Sequence, residues 1–208
     1  MGRGELVMEI TSRLWAEFYK QLDEIDRNNP MDNLIVRKTM TPSKYPERAK
    51  PIAERLNAND SVLEIGCGYG GLALEILKLV PVKYTVVDTS SMLAQTRKSL
   101  GDKVKYVCAT DIKTLSKCQF TLFISHFCLS ETPYEYRKYI LENIIKNCKN
   151  ISVFDYDDMA RPTPQMIADG YEMNPTITEY YLNKYFIVAK VRDTNAGAQF
   201  QFTGERKK

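Results

Sequence analysis

The stretch "VLEIGCGYGGLALEIL", Val62 to Leu77, sets four glycines between a short apolar run and a helical pattern. Glycines at that junction let the chain turn tightly and let a ligand approach the backbone, while the first turn of the following helix presents unpaired N–H groups. A strand that passes through glycines into a helix is half of a β-α-β unit, and such units bury themselves in a sheet of parallel strands covered by helices. The rest of the chain supplies the partners. From Ser61, the short apolar runs "SVLEIG", "KYTVVDT", "VKYVCAT", "FTLFISHF" and "NISVFDYD" alternate with the helical stretches "GGLALEILKLV", "SMLAQTRKSL" and "YEYRKYILENIIKNC". The exception is "DIKTLSKC", which is barely a helix. These runs predict an α/β fold with a doubly wound, three-layer sheet. After Asp158 the alternation stops. "ARPTPQMIADGYEMNPTITEYYL" reads as loop plus short helix, "KYFIVAKV" and "AQFQFTGE" as strands, and "DTNAG" between them as the turn of a closing hairpin.

Ahead of Ser61 the pattern differs. Leu6, Ile10, Leu14, Phe18, Leu22 and Ile25 recur at three- and four-residue spacing, which predicts an amphipathic helix that must lie on something. Pro30, Pro42 and Pro46 break the following segment before "PERAKPIAERL" resumes a helix. Residues 1–58 are therefore expected to form a helical lid, and residues 59–208 the α/β domain. A chain of 208 residues suits one such domain.

Composition narrows the partners. With 44% apolar and 26% charged residues, the chain is of the packed, globular kind. A net charge of +3, with "ERKK" as the one dense basic run, gives no clustered phosphate-binding face, so nucleic acid is not expected as a partner. No segment approaches the ~18 apolar residues of a membrane span, and the N-terminal stretch lacks the apolar core of a secretory leader, so a cytoplasmic location is expected. Five cysteines without a C-x-x-C and a single histidine, His126, predict reduced thiols and no metal site. Oligomeric state is left open by all of this.

Gly66, Gly68 and Gly71 satisfy the dinucleotide pattern G-x-G-x-x-G, and Asp88 follows at the end of the second run. A nicotinamide-dependent oxidoreductase is one reading. Glu64, two residues before Gly66, argues for another: a carboxylate facing the loop would repel a pyrophosphate and favour a ligand with a positive centre, such as S-adenosylmethionine (SAM).

Four pieces in order carry a family resemblance: "VLEIGCGYGGLALEIL", "VVDTSSMLAQTRKSL", "CATDI" and "FTLFISHFCLSET". They resemble the motifs of class I SAM-dependent methyltransferases from roughly Ser61 to Tyr156. The resemblance implies a Rossmann-like sheet of order 3-2-1-4-5-7-6, with SAM as cofactor and S-adenosylhomocysteine as product. It implies that Gly66, Cys67 and Gly68 pass under the methionine part of SAM, that Glu64 orients the loop, and that Asp88 takes the ribose hydroxyls. Thr89 and Met92 would flank the adenine, Asp111 and Ile112 would lie near its amino edge, and Ser125 of the fourth motif would complete the cofactor set. Asp88 has the alternative of capping the next helix, and Asp111 of being a turn residue.

The methyl acceptor is sought after the fourth strand. His126 has the intrinsic pKa for a general base near neutrality, and Glu131 is the second candidate; lining the pocket and opening a helix are their respective alternatives. Asp155, at the end of the fifth strand, is a candidate acceptor contact, and its neighbours Asp157 and Asp158 are read as solvated turn residues rather than cation ligands. Tyr45 and Tyr69 are the preferred aromatic faces for an acceptor. "LEIGCGYGGLA", "LFISHFCLSETP" and "LNKYFIVAK" are similar to sugar O-methyltransferases of bacterial polysaccharide clusters, which implies a small-molecule or sugar hydroxyl as acceptor. An amine or protein side chain, and a fold that binds SAM without turnover, stand as alternatives.

Overall fold

A computed structural model describes residues 45–126, 128–129, 132, 134–156, 175–193 and 199–208. The expected helix over Leu6 to Ile25, Glu131 and the "DTNAG" turn from Thr194 onward lie outside the described residues, as do the whole segment between Tyr156 and Pro175 and all of the lid ahead of Tyr45.

The elements follow in chain order as α1 (Tyr45–Ala53), β1 (Ser61–Ile65), α2 (Gly71–Leu79), β2 (Lys83–Asp88), α3 (Ser90–Leu100), β3 (Lys105–Cys108), β4 (Phe120–His126), α4 (Tyr134–Asn143), β5 (Cys148–Tyr156), α5 (Pro175–Tyr185), β6 (Phe186–Asp193) and β7 (Gln199–Arg206). They build one seven-stranded sheet in the order β3-β2-β1-β4-β5-β7-β6, as the resemblance implied. β1 to β5 run parallel, and β6 and β7 form the antiparallel pair that closes the chain.

Side-chain alternation divides the core into two layers. Leu63, Ile65, Phe123, Ile151 and Val153 face the layer that holds Tyr136, Ile140 and Leu141 of α4 and Leu182 of α5. Val62, Val86, Leu122 and Ile124 face the layer formed with α1, α2 and α3 through Ala49, Ile52, Leu72, Ile76 and Leu93. Burial of each such Leu, Ile, Val or Phe is worth about 1.5–3 kcal/mol, so two continuous layers fix which face each strand presents.

Three boundaries differ from the expected ones. The helix expected to reach Cys148 ends at Asn143, and a 3-10 turn at Ile145–Asn147 leads directly into β5. "DIKTLSKC" is a 3-10 stretch, Ala109–Leu115, whose Ala109, Ile112 and Leu115 are buried. Lys184 and Tyr185, read as the start of a strand, complete α5, and β6 begins at Phe186, which is buried in the core.

Candidate functional site

The C-terminal ends of β1, β2 and β4 converge on the glycine loop. Gly66 takes a φ of +80° and Gly68 one of +52°, values that side chains disfavour. The two serve differently. A Cβ on Gly66 would lie 2.3 Å from Cβ of Cys128, so the segment after β4 packs directly on the loop there. A Cβ on Gly68 would meet nothing within 4 Å, so this backbone is open for a ligand to approach.

The loop is tied from three sides. Gly66 N–H donates to the carbonyl of Val87 at 2.9 Å, extending the β1–β2 ladder into the turn. Asp88, at the end of β2, accepts from Gly68 N–H at 2.8 Å through Oδ2 and from Thr89 N–H at 2.8 Å through Oδ1. The fully buried hydroxyl of Thr96 on α3 donates toward the carbonyls of Gly68, 2.5 Å away, and Met92, 2.8 Å away. Thr96 carried no signal in the sequence, because its role depends on α3 lying against the loop. Asp88 does not cap α3: Thr89 is the N-cap, with Oγ1 accepting from Met92 N–H at 3.4 Å.

Glu64 departs from its expected state. Its side chain is buried on the α1–α3 face of the sheet, and Oε2 accepts the Tyr84 hydroxyl at 2.9 Å. The register that pairs Val62 with Tyr84 puts Glu64, two residues on, on the same face as that tyrosine, a partner the strand offset makes legible once known. Burial, opposed by the Tyr84 hydrogen bond and reinforced by nearby Asp88, pushes the carboxyl up to about 8. In the free protein it is therefore largely protonated at neutral pH. The standing negative charge expected of Glu64 is therefore not present at neutral pH, and its protonated carboxyl gives no electrostatic preference for SAM over a pyrophosphate.

Cys67 is buried beside Thr96, its thiol held above the usual range first by burial and then by Asp88 and Glu64. Met92 is buried beneath the start of α3 and Ile112 inside the core, whereas Asp111 is exposed at the beginning of the 3-10 stretch after β3. Ser125 is fully buried near the end of β4, and its Oγ has no hydrogen-bond partner among the described residues.

On the acceptor side, His126 ends β4. Its Nε2 lies 3.3 Å from the Ser152 hydroxyl, and its ring meets Phe154 of β5 edge-on with centroids 4.9 Å apart. The Arg48 guanidinium of α1 sits 5.0 Å above the same Phe154 ring. Burial, with Arg48 as the lesser cause, pushes the imidazole down to about 3, so the pKa near neutrality that recommended His126 as a base is not retained. The Tyr45 ring reaches the loop: a Cβ on Gly71 would lie 2.4 Å from its Cε2. Tyr69 is half-buried within the loop. Backbone atoms of Asp155 pair with Phe200 of β7, and its side chain lies outside the described set. Among the described residues no group of His, Cys, Asp and Glu is arranged to hold a metal.

Residues 62–150 match the family described as a methyltransferase domain. No curated protein matches the chain. Among solved structures, an O-methyltransferase family protein from Burkholderia thailandensis is similar at 14% identity and a TM-score of 0.56 over 80% of this chain and 58% of its own. Mitomycin 7-O-methyltransferase MmcR is similar at 16% identity and a TM-score of 0.60, over 91% and 60%. N-methyltransferase NodS from Bradyrhizobium japonicum, solved with S-adenosylhomocysteine, is similar at 14% identity and a TM-score of 0.60, over 79% and 86%. This chain spans about three fifths of the length of the two O-methyltransferases.

Proposed function

We propose that this chain, whose residues 62–150 match a methyltransferase domain, uses SAM to methylate a hydroxyl of a sugar or other small molecule. SAM is the cofactor of such a domain, and two features fit it: the open backbone at Gly68, and the buried Ser125 hydroxyl that no described residue satisfies. The observation that carries the reading is the Gly68 turn, held in place by Asp88 and Thr96 inside the matched segment. SAM, when bound, supplies a methyl group activated by its sulfonium.

The chain's own residues do the rest. Gly66, Cys67 and Gly68 would hold the methionine part, and Asp88, at the end of β2, would take the ribose hydroxyls. Thr89, Met92, Asp111 and Ile112 frame the adenine. Tyr45, Tyr69 and Asp155 form the acceptor side, and Tyr45 already rests on the start of α2. Proton removal from the hydroxyl falls to Glu131, because an imidazole held near 3 is a weak proton acceptor; His126 orients the acceptor as a neutral hydrogen-bonding group. Holding the hydroxyl in line for displacement is the larger contribution.

The depressed pKa of His126 also favours a second reading. An amine acceptor loses its proton more readily and needs no strong base, which makes N-methylation of a small amine the alternative. A panel of sugar nucleotides, saccharides, phenols and amines offered with methyl-labelled SAM decides between them. Label in a hydroxyl-bearing sugar supports the proposal; label confined to amines replaces it. A dinucleotide enzyme is distinguished by thermal shift, since SAM at a hundred times its Kd should stabilise the fold by about 2.7 kcal/mol and reduced nicotinamide dinucleotide should not.

A further inference from the structure

The two edges of the sheet are built differently. β3, at one edge, is four residues long and opens on the exposed Lys105, the short and charged form in which an edge resists further pairing. β6, at the other, runs for eight residues, Phe186–Asp193, with neither Pro nor Gly. It keeps an unbroken register with β7 from Phe186↔Arg206 to Asp193↔Gln199, so no bulge bends it away. Its central cation does not guard it: Lys190 Nζ turns back over the sheet to Glu179 Oε2 at 2.8 Å and lies 5.5 Å from the Phe202 ring centroid. On the opposite face of the strand Ile187, Ala189 and Val191 are exposed, Ile187 at 71% and Val191 at 58%. Among the described residues no strand pairs with this edge.

The ladder with β7 fixes which backbone groups the edge offers. Lys207 N–H donates to the Tyr185 carbonyl at 3.0 Å, and Phe186 pairs with Arg206. Phe186 is therefore a non-hydrogen-bonded position toward β7, and alternation gives Val188, Lys190 and Arg192 the same state. The N–H and C=O groups of these residues point away from the sheet, where a further strand would meet them.

We propose that β6 pairs antiparallel with β6 of a second copy of this chain, about a two-fold axis at Ala189, so that one sheet continues through both copies. The strand's own sequence selects that partner. With Ala189 opposite Ala189, Val188 falls opposite Lys190 and Phe186 opposite Arg192 in hydrogen-bonded positions, so every outward amide and carbonyl from Phe186 to Arg192 finds a partner. Ile187 falls opposite Val191 in the closer, non-hydrogen-bonded positions, where opposed side chains touch most. The exposed apolar row of each copy thus continues into that of the other, and no cation faces a cation. Neighbouring registers lose this match. A slip of one residue opposes outward groups to inward ones and carries the apolar row to the wrong face. A slip of two sets Lys190 against Lys190 in one direction, and in the other runs Val191 and Arg192 past the end of the opposing strand. The pairing is independent of which acceptor the enzyme methylates.

Sedimentation equilibrium of the full-length protein should give the mass of two chains, falling to one on dilution. Ile187→Lys and Val191→Glu should each raise the dissociation constant by roughly tenfold or more, because each sets an unpaired charge against an apolar side chain. An equimolar mixture of these two variants should recover the two-chain mass, since the introduced lysine and glutamate then face one another beside the axis. Arg192→Pro removes only an outward N–H, keeps the β6–β7 ladder and should also weaken the dimer; it carries the test where a charged variant does not fold by circular dichroism. Leu79→Glu, at a 58% exposed position on α2, should leave the mass unchanged. Three results overturn the proposal: a single chain at every concentration, a two-chain mass indifferent to the β6 substitutions, or charged variants that dissociate and are not restored by mixing. Slow hydrogen exchange of the Val188 and Lys190 amides in a single chain overturns it as well, because another segment would then cover the edge.

Discussion

Replacement of Glu64 by Gln should change the pH dependence of stability more than stability itself at neutral pH. The carboxyl is pushed from 4.5 to about 8 in the folded protein, chiefly by burial, so between those values the folded chain keeps a proton that the unfolded chain has released. The sign follows. Stability linked to Glu64 is fully present below pH 4.5, falls as pH rises and levels off above pH 8. The slope is about 1.4 kcal/mol per pH unit, and the whole linkage is worth about 5 kcal/mol. Glutamine keeps an oxygen for the Tyr84 hydroxyl but carries no titrating proton. Urea denaturation of both proteins at pH 6 and pH 9 should therefore show the unaltered protein losing on the order of 3 kcal/mol relative to Glu64→Gln across that interval. A difference that stays constant within about 0.5 kcal/mol would refute the buried, protonated state. The proposed SAM site adds a second readout. SAM should bind more tightly as pH rises from 6 to 8, by up to about tenfold per unit, and in Glu64→Gln that dependence should disappear.

The remaining expectations concern the loop and the acceptor side. Gly66→Ala forces a Cβ to within 2.3 Å of Cys128 at a φ of +80° and should cost more than about 2 kcal/mol by thermal or urea denaturation, with SAM binding lost. Thr96→Val removes the hydroxyl that ties α3 to the Gly68 carbonyl, and a destabilisation of about 1–2 kcal/mol should accompany weaker SAM binding in calorimetry. Asp88→Asn leaves one acceptor oxygen for the N–H groups of Gly68 and Thr89; SAM affinity should fall about tenfold or more while the fold persists. Glu131→Gln should lower kcat about 100-fold or more with the true acceptor, whereas His126→Gln should lower it less than about tenfold and the pH–rate profile should show no inflection near 6.5 from His126. Equal, small effects of both substitutions would remove general-base catalysis by either residue.

The frame of this protein was written in its periodicities because each depends on neighbours close in sequence. The glycine junction after Ile65, the strand runs and the "DIKTLSKC" irregularity all reappear, since a turn or an alternating strand is decided by φ, ψ and burial over a few residues. Helix ends were less legible: Asn143 and Tyr185 end their helices although Ile144, Ile145 and Phe186 just beyond them stay buried in the core, and no local signal records either end. The electrostatics were legible only as residue types. Glu64 and His126 were singled out for charge and basicity at their ordinary pKa values, and burial moves both toward neutrality, one upward to about 8 and the other downward to about 3. Desolvation acts on opposite charges with the same outcome, a site whose two most conspicuous ionisable groups are uncharged until a ligand arrives. The preference for a cationic cofactor therefore cannot reside in a fixed carboxylate charge. A preference exerted through Glu64 would require release of its proton, so discrimination between SAM and a pyrophosphate is expected to sharpen as pH approaches 8.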